Sequence, residues 1–312
     1  MLVMAPVLPL DALRSAFGKR LRENQPLARY TSARIGGSAD ALVDIATSDE
    51  LAKAAGTLWD LDLPFLVLGG GSNMLVSDAG VRKVVLFNQA SAVHFEEEND
   101  QPTVWAESGV GLGVISRQAA AKGLGGLEWA AGIPGTIGGA VFGNAGAHGG
   151  DMSSVLEVAT ILHRNMGKKD WSAQDLAYEY RGSWLKKHAG DAVVLSAKFG
   201  LAKKPEAQIR VQMDTFLAYR RLTQPPGASM GSMFKNPPGD SAGRLIEAAG
   251  LKGKRIGNAQ VSPLHANFFL NLGNSRAADV YALIQEARAA VLRDFGVDLE
   301  LEIELVGEWP AE

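Results

Sequence analysis

Residues 132–150 read GIPGTIGGAVFGNAGAHGG, with eight glycines in nineteen positions and no Lys or Arg. So few side chains cannot fill a core. Something must approach the main chain so closely that Cβ atoms are excluded. A second glycine cluster sits at 69–71, straight after the apolar run PFLVL, and further glycines gather at 109–113 and 123–126. Consecutive glycines can turn backbone N–H groups toward one point and form an anion nest without a charged side chain. Residues 135–143 are helix-compatible, so this loop is also expected to present a helix N-terminus to a phosphate. The plainer alternative is a set of tight turns and close packings. Two separate clusters, one placed directly behind a strand, favour the nest.

The usual nucleotide fingerprints are absent. There is no G-x-x-x-x-G-K-[ST], and Gly109, Gly111 and Gly113 do not form G-x-G-x-x-G opening a helix after a first strand. This argues against a P-loop enzyme and a standard Rossmann domain. The chain has 312 residues, 46% hydrophobic and 21% charged, with net charge −3. That is enough for two domains or three small ones, and it points to neither a nucleic-acid nor a membrane partner. There are no cysteines, which excludes disulfides and thiolate chemistry and fits a reducing compartment. The N-terminus lacks a basic region, is broken by prolines, and reaches Asp11 too early for a signal peptide. A cytoplasmic protein is therefore expected, and a monomer is the working expectation. The five histidines, at 94, 148, 163, 188 and 265, show no paired ligand spacing, and no catalytic metal is expected.

Periodicity predicts strands at 64–68, 81–87, 103–108, 155–164 and 191–200, and helices at 112–123, 205–222, 241–253 and 276–296. Residues 297–307, VDLELEIELVG, read as the plainest strand, with Asp298, Glu300, Glu302 and Glu304 on one face and Leu299, Leu301, Ile303 and Leu305 on the other. A boundary falls near 200–205. Before it lies a glycine-rich α+β unit, after it a smaller α+β unit.

Three polar groups stand out. Ser232, in GSMFKNP, suits a turn or a proton donor. Arg181, in YEYRGSW, suits the surface or a fork for a carboxylate or phosphate. The acidic face of 298–304 suits solvent or a cleft. Residue type alone leaves each pair of readings open.

Taken together, these pieces resemble the UDP-N-acetylenolpyruvoylglucosamine reductase family. NQPLARYTSARIGGSADALV (24–43) resembles its N-terminal signature. LGGGSNMLVSDAGVRKVV (68–85) and GLEWAAGIPGTIGGAVFGNAGAHG (126–149) resemble its two flavin-cradling segments. YRGS (180–183), GSMFKNP (231–237), IGNAQVSPLHANFFLN (256–271) and LELEIELVG (299–307) follow in the family's order. The short interval from YRGS to GSMFKNP resembles the family's second type. Leu264 and Leu301 depart from it, where a lysine and a proline are frequent.

The resemblance implies an α+β fold of the vanillyl-alcohol-oxidase/PCMH type. An N-terminal helical lead-in would cover 1–25. An FAD-binding region of two subdomains would cover 26–203, split near 90–100, and a substrate-binding domain 204–312. It implies noncovalent FAD held by Gly69, Gly70, Gly71, Ser72 and Asn73, and by Gly132, Pro134, Gly135, Thr136, Gly138, Gly139, Asn144 and Ala145. It implies NADPH as co-substrate and a UDP-sugar nucleotide bearing an enolpyruvyl group, reduced in peptidoglycan precursor synthesis for the cell wall. Ser232 matches the family's proton donor. Arg181 and Glu302 match the pair that stabilises the intermediate, Glu302 lying five residues before Gly307. Tyr180 and Asn236 match substrate contacts. The competing readings are another flavin oxidoreductase on the same scaffold and a nucleotide-binding module without chemistry.

Overall fold

The structure, a computed structural model, describes residues 8–309; the first seven residues of the expected lead-in lie outside them. Strands Leu21–Pro26, Ser38–Ile45, Val81–Asn88 and Phe65–Leu68 form the first sheet in that spatial order. The first pair is antiparallel and the other two are parallel. Helices α1 (Leu10–Phe17) and α2 (Ser48–Asp60) cover it. Thr47 caps α2 by accepting the Glu50 N–H, and Asp49 and Glu50 suit the positive end of the helix dipole. The lead-in is helical only as far as Arg20. Leu21–Pro26 is instead an edge strand, paired Leu21 to Val43.

The second sheet is antiparallel throughout, in the order Gly167–Trp171, Leu156–His163, Ala192–Gly200, Thr103–Glu107, Val93–Glu96. Its central strand Ala192–Gly200 is buried at six of nine positions, as a strand covered on both faces must be. Leu51 and Leu58 of α2 share one core with Val84 and Leu86 of the first sheet and Val193 and Leu195 of the second. Helices α3 (Leu112–Ala121) and α4 (Ile137–Gly143) pack on the second sheet through Ile115, Ala119, Ile137 and Val141. The short α5 (Trp184–Lys187) follows.

Helix α6 (Glu206–Thr223) departs from expectation. The sequence pattern assigns it to the C-terminal unit, but its Ile209 and Met213 pack on Ala120 and Ala131 of the preceding unit. The C-terminal core is built after it, from α7 (Ala242–Ala248), α8 (Ala277–Phe295) and the strands Arg255–Ile256, Ala259–Val261 and Phe269–Asn271. It also recruits Ala33, Ile35 and Leu75 from the N-terminal half. On α8, Val280, Leu283, Ile284, Ala287 and Val291 are buried at helical spacing, and Gly296 ends the helix with φ 68°.

The long strand expected at 297–307 is not formed. Only Glu304–Val306 is a strand, parallel to Met74–Val76. Residues 300–302 instead run against 233–235, through a bridge between Phe234 and Leu301 and the bond from Lys235 N–H to the Glu300 carbonyl. Two partners at different places in the molecule cannot be matched by one straight strand, so the chain bends at 302–303.

Candidate active site

The two glycine segments lie against each other. A Cβ on Gly70 would stand 3.1 Å from the Gly135 Cα, and one on Gly69 would stand 2.4 Å from Thr136 Oγ1. Gly71 has φ 55°, and its Cβ would stand 2.1 Å from the Tyr30 carbonyl oxygen. Part of the demand for glycine thus comes from the protein itself. What the protein leaves open is a set of donors: among the described residues, no acceptor meets the N–H groups of Gly70, Gly71, Ser72, Gly135 or Thr136. Ordered N–H groups without partners, on loops stripped of side chains, fit an anionic pyrophosphate. The helix start expected to share this role is occupied. Ile137 N–H donates to the Val110 carbonyl at 2.8 Å and Gly138 N–H to the Ser108 carbonyl at 2.7 Å.

Of the residues matched to FAD, Gly139 and Pro134 are exposed. Gly132 has φ 73° and lies along Leu217 and Arg220 of α6. Two others are committed to the protein. Ala145 donates its N–H to the Ala140 carbonyl and accepts from Met152 N–H. Asn144, buried at the left-handed end of α4 with φ 46°, donates from Nδ2 to the Glu179 carbonyl at 3.1 Å and accepts from Ser153 N–H at Oδ1.

The YEYRGS segment is fastened to the end of α4, where carbonyls lack helical partners. Tyr178 Oη donates to the Val141 carbonyl at 3.0 Å and Ser183 Oγ to the Phe142 carbonyl at 2.6 Å. Burial drives the Tyr178 phenol far above its ordinary pKa, so it stays a neutral donor. Glu179 and Gly182 close a tight turn through two 3.1 Å backbone bonds. Arg181 takes its third place with φ 54°, a position that glycine or asparagine usually fills. A left-handed arginine costs roughly 1–2 kcal/mol. Such strain persists only where the surrounding structure holds the backbone in place.

Arg181 Nε lies 2.8 Å from Glu302 Oε1, and the side chains are 24% and 16% exposed. The Nε–H is directed off the line to that oxygen, so the contact is chiefly Coulombic. Burial pushes the Glu302 carboxyl above its usual range, and the positive charges of Arg181, Lys186 and Lys235 oppose that rise without cancelling it. Lys186 Nζ bonds Glu304 at 2.8 Å and Lys235 Nζ bonds Glu300 at 2.5 Å. The backbone brings Ser232 alongside: Glu302 N–H donates to the carbonyl of Met233, the next residue, at 3.0 Å. Ser232 is half-buried, and among the described residues its hydroxyl has no hydrogen-bond partner. Asn73 closes the arrangement, its Nδ2 donating to the Glu302 carbonyl at 3.1 Å and its backbone carbonyl accepting from Glu304 N–H at 2.9 Å.

Two cavities flank the Tyr180–Arg181 turn. One of about 440 Å³ is lined by Tyr180, Lys235, Asn236, Pro237 and Glu300. The other, about 550 Å³, is lined by Asn144, His148, Tyr178, Tyr180 and Arg181. Tyr180 is 55% exposed, with the Arg181 guanidinium 5.6 Å from its ring centre. Asn236 Oδ1 accepts from Ala242 N–H in the first turn of α7, whose N-cap is Ser241, and among the described residues its amide nitrogen has no partner where it lines the first cavity. His148 stacks on Phe216 of α6 at 4.2 Å.

The tertiary structure thus gathers Arg181, Glu302, Tyr180 and Asn73, and brings Ser232 close through the backbone bond of the next residue, Met233, to Glu302. Asn236 sits across the first cavity. Lys186, Lys235 and Arg220 were missed by sequence reasoning. Lys235 stands inside GSMFKNP and could have been found there. Lys186 and Arg220 carry no pattern of their own. Arg220 is recognised by burial alone: its side chain lies along Gly132, burial disfavours its charge, and no carboxylate among the described residues pairs with it.

No group of three His, Asp or Glu side chains gathers at metal-binding distance among the described residues, and no described helix is long and apolar enough to cross a membrane. Two family models match: an FAD binding domain over residues 39–165, and the C-terminal domain of UDP-N-acetylenolpyruvoylglucosamine reductase over 222–306. The UDP-N-acetylenolpyruvoylglucosamine reductase of Chloroflexus aggregans is 43% identical over 289 residues, covering 92% of this chain and 97% of its own. That of Bacillus subtilis is 41% identical, covering 91% and 93%. The crystal structure of the Thermus caldophilus enzyme superposes with a TM-score of 0.77 at 36% identity, over 92% of this chain and 99% of that one. The α+β fold is therefore that of the Thermus caldophilus enzyme, an FAD-binding domain extended by a C-terminal α+β domain. With close to the whole length of these enzymes matched at such identity, the chain belongs to the UDP-N-acetylenolpyruvoylglucosamine reductase family.

Proposed function

We propose that this protein uses NADPH and FAD to reduce UDP-N-acetylglucosamine enolpyruvate to UDP-N-acetylmuramate, in cytoplasmic peptidoglycan precursor synthesis. The observation that carries the reading is the half-buried Arg181–Glu302 pair, 2.8 Å apart, with Ser232 preceding the Met233 carbonyl that Glu302 N–H meets, and bonded to the first glycine loop through Asn73.

Gly70–Ser72 and Gly135–Thr136 would hold the FAD pyrophosphate through their open N–H groups. When bound, FAD stores a hydride between the two substrates. The remaining chemistry falls to the chain's own side chains. As hydride reaches the vinyl carbon, electron density moves toward the enolpyruvyl carboxylate. The Arg181 guanidinium, with the Lys235 charge that also acts on Glu302, offsets that charge in a half-buried site. Glu302 fixes the orientation of Arg181. Ser232 Oγ holds the proton that the neighbouring carbon takes, completing addition of hydride and proton across the double bond, and recovers one from solvent. Tyr180, Asn236 and Lys235 line the cavity proposed for the sugar nucleotide. The unit built on α7 and α8 is proposed to cover it, and the protein to act as a monomer.

Anaerobic mixing with NADPH, then with the enolpyruvyl sugar nucleotide, tests this. Flavin absorbance should bleach and then return. A protein without a flavin spectrum, or a bleached flavin that the sugar nucleotide does not reoxidise, would overturn it.

A further inference from the structure

Each glycine segment carries an asparagine, Asn73 just after Gly69–Gly71 and Asn144 at the end of α4 within 132–150, and each holds the backbone of one side of the Arg181–Glu302 pair. Asn73 closes the first segment and donates to the Glu302 carbonyl at 3.1 Å. Asn144 lies within the second and donates to the Glu179 carbonyl at 3.1 Å, at the base of the turn that carries Arg181. The second link is stiff. Asn144 caps α4, its Oδ1 is occupied by Ser153 N–H, and Tyr178 and Ser183 fasten the same turn to the two preceding carbonyls of the helix. The strained backbone at Arg181, with φ 54°, needs such support from its surroundings.

We propose that Asn73 and Asn144 are positioning residues that make assembly of the Arg181–Glu302 pair depend on the two cofactor loops. The proposal rests on the functional reading above and deepens it. It gives the two asparagines a role other than contact with FAD. A loop displaced in the absence of cofactor would carry one partner of the pair away from the other. Orienting groups of this kind matter because a shift of about 1 Å in a catalytic group can cost on the order of 10²-fold in rate.

The test uses Asn73→Asp and Asn144→Asp, which keep the side-chain shape and remove the donating N–H. Asn144→Asp also keeps the acceptor for Ser153. Three quantities are measured: FAD affinity, flavin reduction by NADPH, and reoxidation by the enolpyruvyl sugar nucleotide in FAD-saturated enzyme. At FAD saturation reduction should be unchanged, whatever the added carboxylate does to FAD affinity, while reoxidation slows by about 10- to 100-fold. The pH limb that reports Glu302 should move upward, because a loosened Arg181 opposes the burial effect less. In the double variant the losses should combine to less than their product, since both act on one pair. Weakened FAD binding with normal reoxidation at saturation would overturn the proposal and return both residues to cofactor contact. Equal slowing of both half-reactions would overturn it in favour of general support. If an Asp variant does not fold, the Ser variant at that position is read by the same criteria. A parent protein that fails the bleaching and recovery test sinks the functional reading itself. A parent that passes, with variants like it, sinks only this proposal.

Discussion

Arg181 and Glu302 face each other at 2.8 Å across the junction between the flavin-binding half and the C-terminal segment, and neither side chain is more than a quarter exposed. Neighbouring acids on the same stretch are placed differently. Glu300 reaches Lys235 and Glu304 reaches Lys186, with side chains 71% and 43% exposed. The pattern of alternation treats these three glutamates as equals, but their surroundings do not.

Glu302→Gln should therefore slow reoxidation of reduced flavin by substrate by about 10²-fold or more. Glu300→Gln and Glu304→Gln should give much smaller losses, acting only through their lysines. Stopped-flow reoxidation of the three variants decides the order. Equal rates would return Glu302 to an ordinary structural role.

Stability should carry the same signature with pH. The folded-state pKa of Glu302 is raised, chiefly by burial. The folded protein therefore holds this proton more tightly than the unfolded chain, whose glutamate titrates near about 4.3. The resulting stabilisation is fully present below that pH and is lost as pH rises through the raised folded value. Denaturant unfolding of the parent and of Glu302→Gln should show the parent losing ground relative to the variant over that interval. A difference that stays flat with pH, or moves the other way, contradicts the burial effect.

Ser232→Ala should leave reduction of flavin by NADPH intact and cripple the second half-reaction. General acid catalysis commonly contributes about 10²–10⁴-fold, which sets the size of the expected loss. The unpartnered hydroxyl beside the Met233–Glu302 backbone bond is the structural motive. Equal slowing of the two half-reactions in stopped flow would show that Ser232 positions something else.

The glycines should divide into two classes. Gly71→Ala places a Cβ 2.1 Å from the Tyr30 carbonyl oxygen at φ 55°, so it should lower the melting temperature and deplete FAD together. Gly139→Ala meets only Thr136 Oγ1 at 3.8 Å, an ordinary contact, and should keep the parent's melting temperature. Thermal unfolding and the flavin-to-protein absorbance ratio measure both. A Gly139→Ala protein as unstable as Gly71→Ala would refute this reading of the packing.

Local pattern determined a good deal about this protein. The apolar spacing of α8 and its closing Gly296, and the two glycine segments, arise from interactions within a few residues and are legible in the sequence, whereas helix α2 with its Thr47 cap is not among the helices that periodicity predicts. Motif order pointed to Ser232, Arg181 and Glu302. Tertiary structure decided what depends on distant neighbours. It set α6 against Ala120 and Ala131 rather than the C-terminal core, because only assembled units show which apolar stripe is left uncovered. It broke the expected strand at 302–303, since 300–302 and 304–306 pair with segments far apart in the chain. It closed the start of α4 with two carbonyls from the 108–110 turn, leaving the open N–H groups in the loops. And it raised the pKa of Glu302 while leaving Glu300 in solvent, because burial, unlike periodicity, depends on what the rest of the chain packs around a side chain.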